Sequence, residues 1–123
     1  MSKKVLVIDD EKAIRNSFLL TFEDSGIKIE VAENGATGLK KIQDEHYDLI
    51  FLDLKMPDLS GAEVLTQIRE KDEKVSVYII TAFHSEFMSE LKEARDNGFD
   101  FELLQKPLNA PQLKNIVNSI LGL

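Results

Sequence analysis

The stretch Asp48-Leu-Ile-Phe-Leu-Asp53-Leu-Lys-Met-Pro-Asp-Leu-Ser-Gly61 decides how this chain is read. It opens with an unbroken apolar run, Leu49 to Leu52, closed by the carboxylate of Asp53. A run apolar on both faces suits a central strand of a parallel sheet, covered above and below by helices. Proline, aspartate, serine and glycine then mark a connecting loop. Asp53 therefore stands where a buried strand opens into a loop.

A second such run, Lys4-Val-Leu-Val-Ile8, ends in Asp9 and Asp10. Working outward from these two, strands are expected at Lys4–Asp9, Lys28–Val31, Leu49–Asp53, Ser76–Thr81 and Phe101–Leu104. Helical spacing lies between them. Ile14, Phe18 and Phe22 recur every fourth residue, as do Val64 and Ile68, and Leu113, Ile116, Val117, Ile120 and Leu121 form an amphipathic stripe. Asp24-Ser-Gly26, Asn34-Gly35, Pro57 to Gly61 and Asn97-Gly98 punctuate the pattern. Ser60 and Asn109 suit helix N-caps, and Pro111 suits a first helical turn. Alternating strands and helices with short connections predict an α/β fold, a parallel sheet with helices on both faces, and one domain over residues 1–123.

Composition agrees with a globular domain. The 123 residues are 43% hydrophobic and 30% charged, with 15 basic against 22 acidic side chains and a net charge of −7. That balance argues against nucleic-acid binding by this segment, which needs a basic patch. No apolar run approaches the roughly 20 residues that span a bilayer, and Met-Ser-Lys-Lys leads into a strand without a signal segment. Cysteine is absent, which removes disulfides and thiolate metal sites; a cytoplasmic location is expected.

In a parallel α/β sheet, ligands bind outside the carboxyl ends of the strands. Asp9, Asp10, Asp53 and Thr81 all fall at such ends, and Lys106-Pro107 follows the fifth strand. Three converging carboxylates repel one another and lose hydration, so at least one has a raised pKa unless a cation compensates. Mg2+ fits, since it takes oxygen ligands and keeps waters and phosphate oxygens. A carboxylate beside it can attack a phosphoryl group, with Lys106 and Thr81 placed to meet the charge. Taken singly, each residue has a plainer reading: a turn-forming or capping Asp, a β-branched strand Thr, a solvated Lys, a strand-ending Pro. The set at successive strand ends favours the pocket.

That set resembles the receiver domain of bacterial two-component response regulators. The matching stretches are Val5-Leu-Val-Ile-Asp-Asp-Glu11, Asp48 to Gly61, Ile79-Ile-Thr-Ala82 and Lys106-Pro107. The resemblance implies a flavodoxin-like (βα)5 sandwich with strand order 2-1-3-4-5. It implies that Asp53 accepts a phosphoryl group from a histidine kinase or histidine phosphotransfer protein. Asp10, Asp53 and the Lys55 backbone carbonyl would ligate Mg2+, with Asp9 acting mainly through water, and Thr81 and Lys106 would bind the phosphoryl oxygens. A cis Lys106–Pro107 peptide is expected. Output, including a possible homodimer, would use the fourth helix, fifth strand and fifth helix; encounter with the kinase would use the first helix, with Ile14, Arg15 and Phe18 as candidates, of which the apolar two equally suit the core. The Asp-Leu-Lys-Met-Pro and Thr-Ala-Phe stretches are similar to receivers of transcriptional regulators that act with the alternative sigma factor.

Several positions depart from or refine that pattern. Leu103 stands where most receivers carry a switch aromatic, and Phe101 would replace it if the strand bulged. Phe83 offers an attacking water no polar partner, which predicts slow self-dephosphorylation. His84 and His46 are expected to be solvated. Two other classes fit the same residues less well. An aspartyl-phosphate phosphohydrolase would need an acid where Lys55 stands, and a phosphorylation-independent interaction domain would not need the acids. No phosphate-binding glycine loop of the nucleotide-binding kinds is present.

Overall fold

The structure, a computed structural model, describes residues 3–72, 74–82 and 88–123. Strands and helices alternate along it: β1 (Lys4–Ile8), α1 (Lys12–Thr21), β2 (Lys28–Ala32), α2 (Gly35–Asp44), β3 (Leu49–Asp53), α3 (Gly61–Lys71), β4 (Ser76–Thr81), α4 (Met88–Asp96), β5 (Glu102–Gln105) and α5 (Ala110–Leu121). All pairings are parallel, in the order β2-β1-β3-β4-β5. This is the expected α/β sandwich and strand order.

Alternation within the apolar runs sorts side chains between two cores. Leu6, Ile8, Ile50, Leu52, Val77 and Ile79 pack with Ile42 of α2, with Val64, Leu65 and Ile68 of α3, and with Leu91 of α4. From the opposite face, Val5, Val7, Leu49, Phe51 and Ile80 meet Phe18 and Phe22 beside α5's Leu113, Val117 and Leu121. Both β1 and β3 are central, which is why their runs have no polar alternation. Of the α5 stripe, Ile116 is half-buried and Ile120 is 38% exposed, so these two form its flanks. On α2, a Cβ at Gly38 would lie 2.4 Å from Ile8 Cδ1, so any larger residue there would force the Ile8 side chain aside.

The helices start where cap chemistry puts them. Asn34 accepts from the Thr37 N–H at 2.8 Å, Ser60 from Glu63 at 3.2 Å and Asn109 from Gln112 at 2.8 Å, with Pro111 in the first turn of α5. Gly122, at φ 72°, takes the left-handed conformation that closes α5. No helix among the described residues is long and apolar enough to cross a membrane.

Four expectations shift. β1 ends at Ile8, one residue early, although the Asp9 N–H still donates to Ala32 O of β2 at 3.0 Å. β2 runs on to Ala32. β5 begins at Glu102 rather than Phe101, because arginines occupy the preceding carbonyls. Arg69, itself buried, donates to Asp100 O from Nε at 3.1 Å and Nη2 at 2.7 Å, and Arg95 donates to Phe101 O at 3.3 Å. Phe18, a candidate for the encounter surface and for the core alike, is fully buried, its ring centroid 4.7 Å from that of Phe51.

Candidate functional site

Parallel register brings the strand ends to one edge of the sheet. Ile8 pairs with Leu52, Asp53 with Ile80, and Thr81 with Gln105. Asp9, Asp53, Thr81 and Lys106 therefore leave the sheet together. Backbone bonds continue past the strands: the Leu54 N–H donates to Ile80 O and the Lys106 N–H to Thr81 O, each at 2.9 Å. The Lys106–Pro107 peptide is cis. The loop after Asp53 returns so closely that a Cβ on Gly61 would lie 2.7 Å from Asp53 O and 2.8 Å from Leu54 Cα. Only glycine fits there.

Asp9 and Asp53 are buried while Asp10 is exposed, and one carboxylate oxygen from each lies within 4.8 Å of the others. Asp9 Oδ1 accepts the Glu11 N–H at 2.9 Å, which fixes the carboxylate and leaves Oδ2 facing inward. That oxygen is fully buried and accepts no hydrogen bond from a described residue. Lys106 Nζ lies 3.5 Å from it and 3.6 Å from Asp53 Oδ1, close enough for charge attraction and too far for well-formed hydrogen bonds. Thr81 is buried at the end of β4.

Crowding of like charge away from water shows in the titration of the group. Burial, the charge of Asp9 and a hydrogen bond with Asp10 push Asp53 up to about 8, against the opposing pull of Lys106. Burial raises Asp9 as well. For Lys106, burial works against the charged form, but Glu11, Asp53 and Asp9 outweigh it and hold the ammonium above its ordinary value. Oxygen-only donors, an orphaned buried carboxylate oxygen and an acid forced upward together fit a hard divalent cation.

The family model for the response regulator receiver domain matches residues 5–118. The chain belongs to that family. Its sequence is 35% identical over 121 residues to the alkaline phosphatase synthesis transcriptional regulatory protein PhoP of Bacillus subtilis, covering 98% of this chain and 49% of that protein. It is 29% identical over 120 residues to the regulatory protein AtoC of Escherichia coli, covering 98% of this chain and 25% of that protein. The receiver thus spans half or less of the length of these relatives. A CheY-like receiver domain protein of Methanospirillum hungatei superposes with a TM-score of 0.88 at 27% identity, over 99% of this chain and 95% of that one. The response regulator TrrA of Thermotoga maritima, solved in complex with Mg(2+)-BeF, superposes with a TM-score of 0.79 at 36% identity, over 96% and 98%.

Away from the acids, the structure bears on several further sequence expectations. Leu103 is 43% exposed in an apolar groove with Met88, Leu91, Arg95 and Phe101. The bulge that would let Phe101 replace a switch aromatic is absent from the described strand. The β4–β5 register runs unbroken from Tyr78 and Glu102 to Thr81 and Gln105, and Phe101 is buried before the strand with the Arg95 guanidinium 4.3 Å from its ring centre. Phe83 and His84 lie outside the described residues. His46 is 77% exposed, as expected. Arg15, expected on an encounter surface, donates to Asp9 O at 2.9 Å. Glu11 and Asp58 carry site contacts that local pattern does not signal: Glu11 meets Lys106 from 95 positions away in sequence, and Asp58 meets α2 from 22 and 23.

Proposed function

We propose that Asp53 of this receiver accepts a phosphoryl group from a phosphohistidine on a sensor histidine kinase or histidine phosphotransfer protein, in a Mg2+-dependent reaction. The observation that carries this reading is the cluster of Asp9, Asp10 and Asp53 oxygens within 4.8 Å, with Lys106 Nζ 3.6 Å from Asp53 Oδ1. Asp10, Asp53 and the Lys55 carbonyl would hold the ion, with Asp9 beside it. That TrrA was solved in complex with Mg(2+)-BeF supports Mg2+ as the ion. When bound, Mg2+ supplies positive charge against the phosphoryl oxygens and the crowded carboxylates.

The chain's own groups do the rest. A carboxylate oxygen of Asp53 attacks phosphorus; the new P–O bond forms as the P–N bond to the imidazole breaks, and the leaving nitrogen keeps the electron pair. Lys106 and Thr81 then serve the transferred oxygens. The added charge, roughly −1.5 to −2, draws both groups toward Asp53 and alters the face bearing Met88 and Leu103. That face, on α4, β5 and α5, is the proposed output surface toward a partner or a second copy.

Incubation with Mg2+ and acetyl phosphate, read by intact mass, tests the reading. A single phosphate adduct that disappears in Asp53→Asn is expected. Turnover without accumulation would favour a phosphohydrolase, and no adduct from acetyl phosphate or a kinase would favour a phosphorylation-independent interaction domain.

A further inference from the structure

The reaction above gives Glu11 no part, yet Glu11 makes the shortest contact of Lys106. Its Oε1 lies 2.6 Å from Lys106 Nζ, against 3.5 Å for Asp9 and 3.6 Å for Asp53. A distance that short is a charge-assisted hydrogen bond, stronger than the longer attractions beside it.

The placement of Glu11 is itself unusual. It occupies the N-cap of α1, with extended φ −85° and ψ 117°, but its side chain makes no capping bond. An N-cap side chain ordinarily accepts an N–H from the first turn. Here the carboxylate turns to Lys106 instead. Its backbone is pinned on both sides: its N–H donates to Asp9 Oδ1 at 2.9 Å, and its carbonyl accepts from Ile14 at 3.1 Å and Arg15 at 3.2 Å. The carboxylate thus stands at a fixed root on the rim, with its side chain 56% exposed, while the lysine side chain is 13% exposed.

We propose that Glu11 is a positioning residue that holds the Lys106 ammonium at the rim of the pocket before phosphorylation and yields it to the phosphoryl oxygens afterwards. This rests on the reading that Lys106 serves those oxygens. Lysine suits such an exchange, since its ammonium is a compact charge on a flexible stem that can swing between partners. The contact sets a threshold: the phosphorylated state has to outcompete Glu11 for the same cation. Because the pair is partly exposed, its release should change rates by about two- to five-fold, the kinetic equivalent of a surface ion pair.

The test compares Glu11→Gln, which keeps length and loses charge, with Glu11→Asp, which keeps charge and loses reach. Both should accumulate the acetyl phosphate adduct about two- to five-fold faster than wild type, and neither should act in a Lys106→Met background. A second reading needs no metal: proton exchange of the Lys106 ammonium, followed by NMR in the metal-free protein, should quicken in both variants. Wild-type rates in Glu11→Asp, equal acceleration by Glu11→Gln in the Lys106→Met background, or unchanged ammonium exchange would each overturn the proposal. If Lys106→Met alone is phosphorylated and loses phosphate as wild type does, the role of Lys106 fails instead, and the NMR result still reports on the contact.

Discussion

Asp58 holds the start of α2 from across the site: its Oδ2 accepts the Ala36 N–H at 2.9 Å, and its Oδ1 accepts that of Gly35 at 3.1 Å. With Asn34 taking the Thr37 N–H, the loop that follows Asp53 supplies half of another helix's cap. Asp58→Ala should lower stability by about 1 kcal/mol, the usual value of a cap together with a favourable charge at a helix N-terminus. Slight burial pushes this carboxyl up, but the Ala36 and Gly35 N–H groups outweigh it and hold it below its ordinary value. A depressed acid stabilises above its unfolded pKa, and that contribution is lost as pH falls through the folded value. Urea unfolding should therefore separate wild type from Asp58→Ala near neutrality, with the gap starting to close below about pH 4 and vanishing only as pH falls through the lowered folded value.

Phe18 and Leu20 are close in sequence on α1 and opposite in consequence. Phe18 is fully buried against Phe51, whereas Leu20 is 67% exposed. Phe18→Ala should cost about 3–5 kcal/mol, and Leu20→Ala should stay within about 0.5 kcal/mol. Denaturation midpoints decide it; a mild Phe18→Ala would return that residue to the encounter surface.

The close return of the loop at Gly61 makes its methyl scan informative. Gly61→Ala places a carbon against the backbone of Asp53 and Leu54, which has to move. A stability loss of about 1–3 kcal/mol is expected from overpacking, together with slower accumulation of the acetyl phosphate adduct. An adduct rate equal to wild type would show that the end of β3 absorbs the shift without moving Asp53.

Mg2+ should stabilise the folded chain, because the cluster of Asp9, Asp10 and Asp53 is crowded without it. At about ten times its dissociation constant, a ligand that binds only the folded state adds about 1.4 kcal/mol. Thermal unfolding in MgCl2, against NaCl of equal ionic strength, should show that rise, and Asp10→Asn should remove most of it. An equal rise in NaCl would reduce the effect to screening.

The central strands were legible because burial on both faces leaves no polar alternation, so Val5 to Ile8 and Leu49 to Leu52 stand out. Their following acids were legible only as a set: a lone Asp ending a strand is ordinarily a turn former or cap, but Asp9, Asp10 and Asp53 fall at neighbouring strand ends together with Thr81 and Lys106. Phe18 stayed open between core and encounter surface because an apolar residue on an amphipathic helix reads alike whether it packs inward or meets a partner; the structure places it in the core. The start of β5 was misplaced because Arg69 and Arg95 reach in from other elements and take the carbonyls of Asp100 and Phe101, which propensity at Phe101 does not register. Glu11 and Asp58 were visible as residues of the matching stretches, but their partners depend on how the chain returns in space.

The backbone bond from the Lys106 N–H to Thr81 O ties together the roots of the two groups that would meet a phosphoryl oxygen. The hydroxyl and the ammonium therefore share one frame, and a shift of either strand end carries both. Thr81, short and branched, follows that frame almost rigidly, whereas Lys106 can swing through its own torsions. On the proposed function, one group of the pair would act as a gauge of backbone position and the other as a mobile counter-charge, so a displacement of β4 and β5 would be reported by the threonine and buffered by the lysine.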